Sequence, residues 1–316
     1  MEDRQPGNSG RRNAKRIATL DIGTNSVRLL VADIDRSGRI VVSMRRGEVT
    51  RLGEGLERNG EISIAARDRT GAVVASFVEE ARKWGASDIV VAGTGALRSA
   101  PNGANIAEHF SRLANLPVRI LSGEEEAKLV FDAVSCPPWK QASRCIVLDI
   151  GGGSTEIISG SSGKIDDWNS VEIGCVRLTE RTISHDPPLH EELGKARDEV
   201  ARALRAVEVP EPGGHLHCVG GTVTTFASID KKLTKHEPHK IEGVKMSRES
   251  VESIERELSA LRLEERMKIP GLSPGRADII IAGGVILSET LNHLKFKEFI
   301  VSTRGLRYGL LGTAGK

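Results

Sequence analysis

The chain has 316 residues, of which 39% are hydrophobic and 28% are charged, and its formal net charge at pH 7 is +2. These values are typical of a globular protein with about two domains, and they exclude the strongly basic balance of a dedicated nucleic-acid-binding protein. No apolar run approaches the roughly 20 residues of a membrane span, and the N-terminus lacks the apolar core of a signal peptide. We therefore expect a cytoplasmic protein that does not contact membranes.

Residues 1–16 are predicted to form a disordered basic tail. Five cations lie there among Gly, Asn and Pro: Arg4, Arg11, Arg12, Lys15 and Arg16. A segment of this composition has no apolar face to bury, and a solubilising tail is a simpler interpretation than a binding arm. The four cysteines show no CxxC spacing, so we interpret them as reduced core thiols and expect no zinc site: Cys136, Cys145, Cys175 and Cys218.

The first folded element is predicted to be a hairpin over residues 19–35, TLDIGTNSVRLLVADID. Two apolar runs, the second with period-two alternation, flank a turn of small polar residues that begins at Asp21. Gly23 leaves the backbone amides open to a ligand. The next three residues add side-chain donors: Thr24, Asn25 and Ser26. Successive open N–H groups of this kind form a cradle for an anion.

Helices and strands then alternate. The pattern predicts a third strand near 39–46, a helix over 64–84, a strand in DIVVAGTGALRS, a helix from about Asn102, and a short strand and helix in VRILSGEEEAKLVFDAV. In the last of these, Ser122 and Glu125 form a Ser-x-x-Glu capping box. Three consecutive acids cannot share one helix face, so Glu126 is expected to point away from Glu125. The two prolines of SCPPWKQAS, 135–143, indicate a crossing between domains.

The second half repeats this order, beginning with LDIGGGSTEIISG. Its turn carries Gly151, Gly152, Gly153 and Ser154 after Asp149. A third strand is predicted near 171–178, then a helix over 189–207, the strand HLHCVGGTVTTFAS, and helices around 247–262. The segments RADIIIAGGVILSETLNHL and EFIVSTRGLRYGLLG are each predicted to be an apolar run followed by glycine and a new helix.

This repetition predicts an internal duplication, with two α/β domains, 17–135 and 136–316, that face each other across a cleft. One hairpin loop from each domain would reach into the cleft, and together the loops would clamp a phosphate chain from both sides. Asp21 and Asp149 cannot bind phosphate themselves, and they indicate a hard cation, Mg²⁺. The structural alternative is two ordinary glycine-rich hairpins.

The motifs in this order resemble the exopolyphosphatase/guanosine pentaphosphate phosphohydrolase (Ppx/GppA) family, within the superfold of actin, sugar kinases and heat-shock chaperones. The resemblance covers about residues 17–312 and rests on DIGTNS, SGEEEA, DIGGGSTE, GCVRLTE, GGTVTT, PGLSPGRADIIIAGG and VSTRGLRYGLL. It implies two actin-like domains of the ribonuclease H-like type, in the short form that lacks further C-terminal domains.

The resemblance also implies residue roles. Glu126 would be the base that activates a water, Asp149 and Glu156 would hold Mg²⁺ with Asp21 facing them, and Arg98 would hold phosphate. An in-line attack of water on a phosphoanhydride needs such a base and such positive charge, although an arginine just past a strand is often only a surface ion-pair partner. Gly221 and Thr222, between a strand and a helix, would offer amides to a nucleoside phosphate or to polyphosphate, or form a simple turn.

The expected activity is Mg²⁺-dependent release of terminal orthophosphate from inorganic polyphosphate. Guanosine pentaphosphate (pppGpp) is the alternative substrate, an ATPase or kinase of the same superfold is the second alternative, and a non-catalytic polyphosphate or alarmone sensor is the third. A homodimer is expected. The sequence departs from the usual GLREG pattern at one position, where Tyr308 replaces the acid.

Overall fold

The computed structural model describes residues 14–135, 144–210, 214–235 and 237–314. Two mixed sheets carry the fold. The first contains β1 (Lys15–Ile22), β2 (Ser26–Ile34), β3 (Ile40–Val49), β4 (Asp88–Gly93) and β5 (Val118–Ile120), in the order β3-β2-β1-β4-β5. The first three strands form an antiparallel meander, and β4 and β5 continue parallel to β1.

The second sheet repeats this arrangement. It contains β6 (Cys145–Ile150), β7 (Thr155–Ser161), β8 (Lys164–Val171), β9 (His215–Gly220), β10 (Lys245–Ser247) and β11 (Glu298–Val301), in the order β10-β11-β9-β6-β7-β8. Apart from the short antiparallel strand β10, the order and directions match those of the first sheet. The predicted duplication of an α/β unit is therefore confirmed.

Thirteen α-helices and one 3₁₀ turn surround the sheets within the described ranges. They are α1 (Leu56–Asn59), α2 (Ile64–Lys83), α3 (Gly95–Ser99), α4 (Gly103–Ala114), α5 (Gly123–Ser135), α6 (Cys175–Thr182), α7 (His190–Leu204), α8 (Gly221–Asp230), α9 (Pro238–Ile241), α10 (Arg248–Ser259), α11 (Leu263–Arg266), the 3₁₀ turn (Pro274–Arg276), α12 (Ile280–His293) and α13 (Leu306–Leu311). Within the described residues, no helix combines the length and the apolar character needed to cross a membrane.

Two helices connect the sheets. The last helix, α13, packs against α5, β1 and β2, while α5 contacts β6, β7 and β8 of the second sheet. A shared apolar cluster results, in which Phe131 of α5 lies among residues from both sheets, including Ala92, Val147 and Ile158. Each sheet is therefore covered partly by a helix from the other half of the chain, and the shared apolar cluster joins the two halves.

Most predicted elements are confirmed, including both hairpins and the helix from Ile64. The predicted strand near 171–178 is wrong, because the third strand of the second sheet is β8 and residues 175–182 form α6. β8 is a polar edge strand whose pairing with β7, rather than its own apolar content, keeps it in the sheet. α6 begins where Cys175 and Val176 donate their N–H groups to the oxygens of Gly151 and Gly152.

The prediction that a new helix follows the apolar run and glycines of RADIIIAGGVILSETLNHL is also wrong, because α12 begins within the run, at Ile280, and includes both glycines. α12 is buried almost all round, and a helix of this kind has no amphipathic period that would distinguish it from a buried strand. Arg98 lies just past the fourth strand as predicted, on the one-turn helix α3.

The start of the fold also differs from the predicted tail. Lys15 and Arg16 belong to β1, where Arg16 forms a two-pronged pair with Asp33 at 2.7 and 2.9 Å. The rest of the predicted tail, 1–13, and the predicted crossing at 136–143 lie outside the described residues. Three of the cysteines are buried free thiols as predicted, Cys145, Cys175 and Cys218, and Cys136 lies outside the described residues.

Candidate active site

A cleft of about 1170 Å³ separates the two sheets. It is lined by the first hairpin loop (residues 23–25) and the second hairpin loop (residues 151–154), together with β3, the start of α8 and residues 267–276. The cleft exceeds the roughly 300–1,000 Å³ of a typical small-molecule pocket, so it has room for an extended ligand. The two predicted cradles therefore do share one cavity.

The two hairpin loops touch each other. The Thr24 hydroxyl accepts a hydrogen bond from the Ala96 N–H at 3.1 Å, and a Cβ atom placed on Gly152 would lie 2.9 Å from the Cβ of Thr24. Only glycine allows this close approach. The Asn25 side chain is 6% exposed, and its Nδ2 has no acceptor among the described residues. A buried amide donor on the wall of this cleft is suited to an anionic ligand.

Four carboxylates meet at the floor of the cleft. Asp21 and Asp149 are the penultimate residues of β1 and β6, Glu156 lies on β7 opposite Asp149, and Glu126 lies in the first turn of α5. Burial, together with the neighbouring Glu126, raises the pKa of Asp149 to about 7. Burial and then Asp149 raise the pKa of Glu156 to about 7, and burial raises the pKa of Asp21. Like charges held together out of water are characteristic of functional sites.

The capping box separates Glu126 from its acidic neighbours. The Ser122 N–H donates to the Glu125 carboxylate at 2.9 Å, and the Glu125 N–H donates to the Ser122 hydroxyl at 3.1 Å. Glu126 instead faces the cleft, and its side chain is 13% exposed. Burial and then Glu156 raise the pKa of Glu126 to about 8. This geometry matches the prediction that Glu125 caps the helix and that Glu126 points away from Glu125.

Arg98 lies next to Glu126. Its Nη1 donates to a Glu126 carboxylate oxygen at 2.6 Å and to the Leu121 carbonyl at 3.1 Å. Arg98 is not among the residues that form the cleft wall. It lies beside Glu126, where its charge opposes the rise in the pKa of that carboxyl, and its predicted contact with phosphate stays a prediction.

The carboxylates suit a hard cation that is only partly held by protein. In the parts of the chain that the structure describes, no three or more His, Cys, Asp or Glu side chains form a group that could hold a metal by themselves. Mg²⁺ is usually bound through one or two carboxylates, with waters and substrate phosphates completing its coordination. Asp149 and Glu156, paired across β6 and β7, fit this requirement, and a cation there would relieve their repulsion.

Three arginines that the sequence analysis did not select line the same cleft: Arg28, Arg276 and Arg307. None forms an ion pair with a described carboxylate. Burial lowers the pKa of both Arg276 and Arg307 to about 10, so both stay charged at neutral pH. Three half-buried cations in one cleft, none with a described ion-pair partner, indicate a binding site for a multivalent anion.

The hairpin register shows how Arg28 could have been found. β1 and β2 pair Asp21 with Arg28, and β6 and β7 pair Asp149 with Glu156. The duplicated hairpins therefore place a cation in one unit where the other unit has an anion. The first hairpin, with Arg28, is suited to phosphate, and the second, with Glu156, is suited to a metal. The difference is visible when the sequences of the two hairpins are aligned on Asp21 and Asp149.

Replacing Arg28 by Gln is expected to raise the KM for an anionic substrate by roughly 10- to 100-fold, the size expected for a charged hydrogen bond. The value of kcat should change less, because the carboxylates remain. Steady-state kinetics would test this, with Arg39→Gln as the control that removes the same charge from an exposed position away from the cleft. Equal KM values for the two variants would contradict the assignment.

The predicted loop at Gly221 and Thr222 is only partly in the cleft. Gly221 lines it, but Thr222 is 1% exposed and does not; Thr224, Thr225 and Ser228 of α8 line it instead. A Cβ atom on Gly221 would lie 2.2 Å from the guanidinium carbon of Arg276. The glycine is therefore needed so that Arg276 can lie against the start of α8.

Comparison with known proteins places this arrangement among phosphatases. A sequence model of the Ppx/GppA phosphatase family matches residues 30–314. Exopolyphosphatase 2 of Mycobacterium tuberculosis is 29% identical over 292 residues, which cover 89% of this chain and 91% of that protein. Exopolyphosphatase 1 of the same organism is 29% identical over 302 residues, which cover 94% of this chain and 87% of that protein.

Solved structures from the same family superpose on nearly the whole of this chain. The Aquifex aeolicus member of the Ppx/GppA family superposes with a TM-score of 0.79 at 29% identity, over 95% of this chain and 97% of that one. An exopolyphosphatase from Cytophaga hutchinsonii superposes with a TM-score of 0.85 at 27% identity, over 95% and 97% of the two chains. The similarity extends over nearly the whole chain, so both sheets and the cleft between them are included.

Proposed function

Because the chain belongs to the Ppx/GppA phosphatase family, we propose that it is a Mg²⁺-dependent exopolyphosphatase that releases terminal orthophosphate from inorganic polyphosphate. The observation that carries the proposal is that one cleft contains both a carboxylate floor and arginines that form no ion pair with a described carboxylate. The names of the relatives from Mycobacterium tuberculosis are consistent with this activity.

In this proposal Glu126 orients a water molecule and takes its proton during attack on the terminal phosphorus. Arg98, bonded to Glu126 at 2.6 Å, holds the carboxylate in position and favours its ionised form. Hydrolysis of a phosphoanhydride requires little more than an aligned water, a base and positive charge around the transferred group. The proton goes to Glu126, the bond to the bridging oxygen breaks, and the shortened chain leaves as the anion.

The arginines and the hairpin loops hold the substrate. Arg28, Arg276 and Arg307 would neutralise its phosphates, while the open amides of Gly151–Gly153 and the Asn25 side chain donate hydrogen bonds. Asp149 and Glu156 are the residues that would hold Mg²⁺, with Asp21 opposite. When bound there, Mg²⁺ supplies positive charge to the phosphoryl oxygens as negative charge develops in the transition state.

Guanosine pentaphosphate is the second candidate substrate. Beside the hydroxyls of α8, the segment 267–272 adds apolar side chains to the cleft wall: Met267, Ile269, Pro270 and Leu272. An apolar wall next to polar donors is a suitable environment for a nucleoside, and the arginines would then bind its phosphate chain.

The test is phosphate release by the purified protein with Mg²⁺, from polyphosphates of several lengths, guanosine pentaphosphate and ATP. A kcat/KM highest for polyphosphate would support the proposal, and one highest for guanosine pentaphosphate would support the second candidate. Preference for ATP would indicate the ATPase or kinase alternative. Binding without release from any substrate would indicate a sensor and would overturn the proposed activity.

The carboxylate cluster also predicts a pH-dependent stability. The pKa values of Glu126, Asp149 and Glu156 are raised on folding, so the native state binds more protons than the unfolded state between about pH 5 and pH 8, and stability falls as pH rises through this range. Thermal melting in the presence of a chelator should show this decline. Mg²⁺ should raise the melting temperature most at the higher pH, and Asp149→Asn should flatten the pH dependence. A wild-type decline that Asp149→Asn leaves unchanged would contradict the assignment.

A further inference from the structure

The only tyrosine of the chain fixes an arginine on the cleft wall. The Arg45 Nη2 donates to the Tyr308 hydroxyl at 2.6 Å, although 263 positions separate the two residues. Tyr308 lies on α13 and is 9% exposed, packed in an apolar cluster with Ile17, Leu30 and Leu311. Because the ring is held by this packing, the position of its hydroxyl is set by the fold.

Arg45 would otherwise be mobile. It lies on the edge strand β3, is exposed, and has no described carboxylate within ion-pair distance. Its neighbour Arg46 contrasts with it, since the Nε of Arg46 pairs with Glu80 at 3.2 Å. The hydroxyl of Tyr308 is neutral, so it positions the Arg45 guanidinium without cancelling its charge, and most of the N–H donors of Arg45 remain available.

Arg45 extends the positive wall of the cleft. It lines the same cavity as Arg28 and Arg307, and it is close enough to Arg307 to contribute to lowering the pKa of that residue. Arg28 acts on Asp21 and Asp149, at the carboxylate floor. The cations therefore continue from the floor of the cleft to the edge strand, as a linear polyanion would require.

We propose that Tyr308 is a positioning residue that holds Arg45 as an outer phosphate-binding subsite, which a long polyphosphate reaches and a short one does not. This inference rests on the proposed polyphosphate substrate. Fixing the guanidinium before the substrate arrives reduces the side-chain entropy lost on binding, and the planar fork of arginine suits phosphate oxygens. Tyr308 would thereby set the chain-length preference of the enzyme.

Tyr308→Phe removes the hydroxyl and keeps the packed ring, so the fold is expected to be retained. For long-chain polyphosphate, KM should rise roughly threefold, as expected for an interaction at an exposed site. The kcat and the KM for tripolyphosphate should stay at the wild-type values. Arg45→Gln should raise the long-chain KM at least as much, and adding Tyr308→Phe to it should cause no further rise, because the tyrosine acts through the arginine.

Arg39→Gln is the matched control, because it removes one charge from the same part of the chain outside the cleft. The inference is overturned if Tyr308→Phe leaves the long-chain KM unchanged, raises the tripolyphosphate KM equally, or adds to the effect of Arg45→Gln. If the wild-type protein releases no phosphate from any polyphosphate, the proposed activity fails separately. In that case, calorimetry measures the Kd of the same variants for long-chain polyphosphate and for tripolyphosphate. The fold-changes expected for Kd are those given above for KM.

Discussion

Glu126→Gln is expected to lower kcat for polyphosphate by about 10²- to 10⁴-fold, the usual contribution of a general base. The amide keeps the size of the side chain and a hydrogen-bonding oxygen for Arg98, but it cannot accept the proton of the attacking water. Because Arg28, Arg276 and Arg307 are untouched, polyphosphate should still bind with nearly wild-type affinity. Single-turnover phosphate release and equilibrium binding would measure the two effects separately.

Glu125→Gln is the matched control, since it makes the same chemical change at the adjacent residue. Glu125 caps α5 and pairs with Arg119 at 2.9 Å, away from the cleft. Its replacement should leave kcat unchanged and cost no more than about 1 kcal/mol of unfolding free energy, as for other helix caps. An equal loss of turnover in both variants would contradict the assignment of Glu126 as the base. Loss of binding in Glu126→Gln would make it a substrate- or metal-positioning group.

Asp149→Asn is expected to remove most of the response to Mg²⁺. The pair formed by Asp149 and Glu156 presents two carboxylates to one side of the cleft, and the amide would supply a weaker, uncharged ligand. Even residues that only orient metal ligands change metal affinity by 10- to 100-fold, so loss of a ligand should lower activity at limiting Mg²⁺ by about 10²-fold or more. Titration of activity with Mg²⁺ would measure this change.

The position of the metal is tested by comparing the two units. Asp21→Asn should affect the Mg²⁺ titration less than Asp149→Asn, because the residue opposite Asp21 in the hairpin is Arg28 and not a second acid. Melting curves with and without Mg²⁺ give a readout that does not depend on turnover. An unchanged Mg²⁺-induced rise in melting temperature for Asp149→Asn would place the cation elsewhere.

The sequence alone predicted the duplication, because both hairpins are local structures whose strands, turn and register depend on neighbouring residues. It also predicted the separation of Glu125 from Glu126, since a capping box is a contact within one helical turn. The local sequence pattern did not predict β8, because this strand is held by its pairing with β7. It also did not show where α12 begins, because a helix that is buried almost all round has no amphipathic period.

The sequence by itself determined the two cradles and the acids at their ends, because those residues act where the backbone places them. Arg28 can be found by aligning the two hairpin copies. Only the tertiary structure brought Arg276 and Arg307 into the cleft, because both lie far along the chain from the hairpins and no local signal places them there. The same holds for Arg98, which turned out to face Glu126, and for Tyr308, whose hydroxyl meets Arg45 across the sheet edge. Charge compensation is a property of three-dimensional proximity, since it depends on distances and burial that sequence separation does not encode.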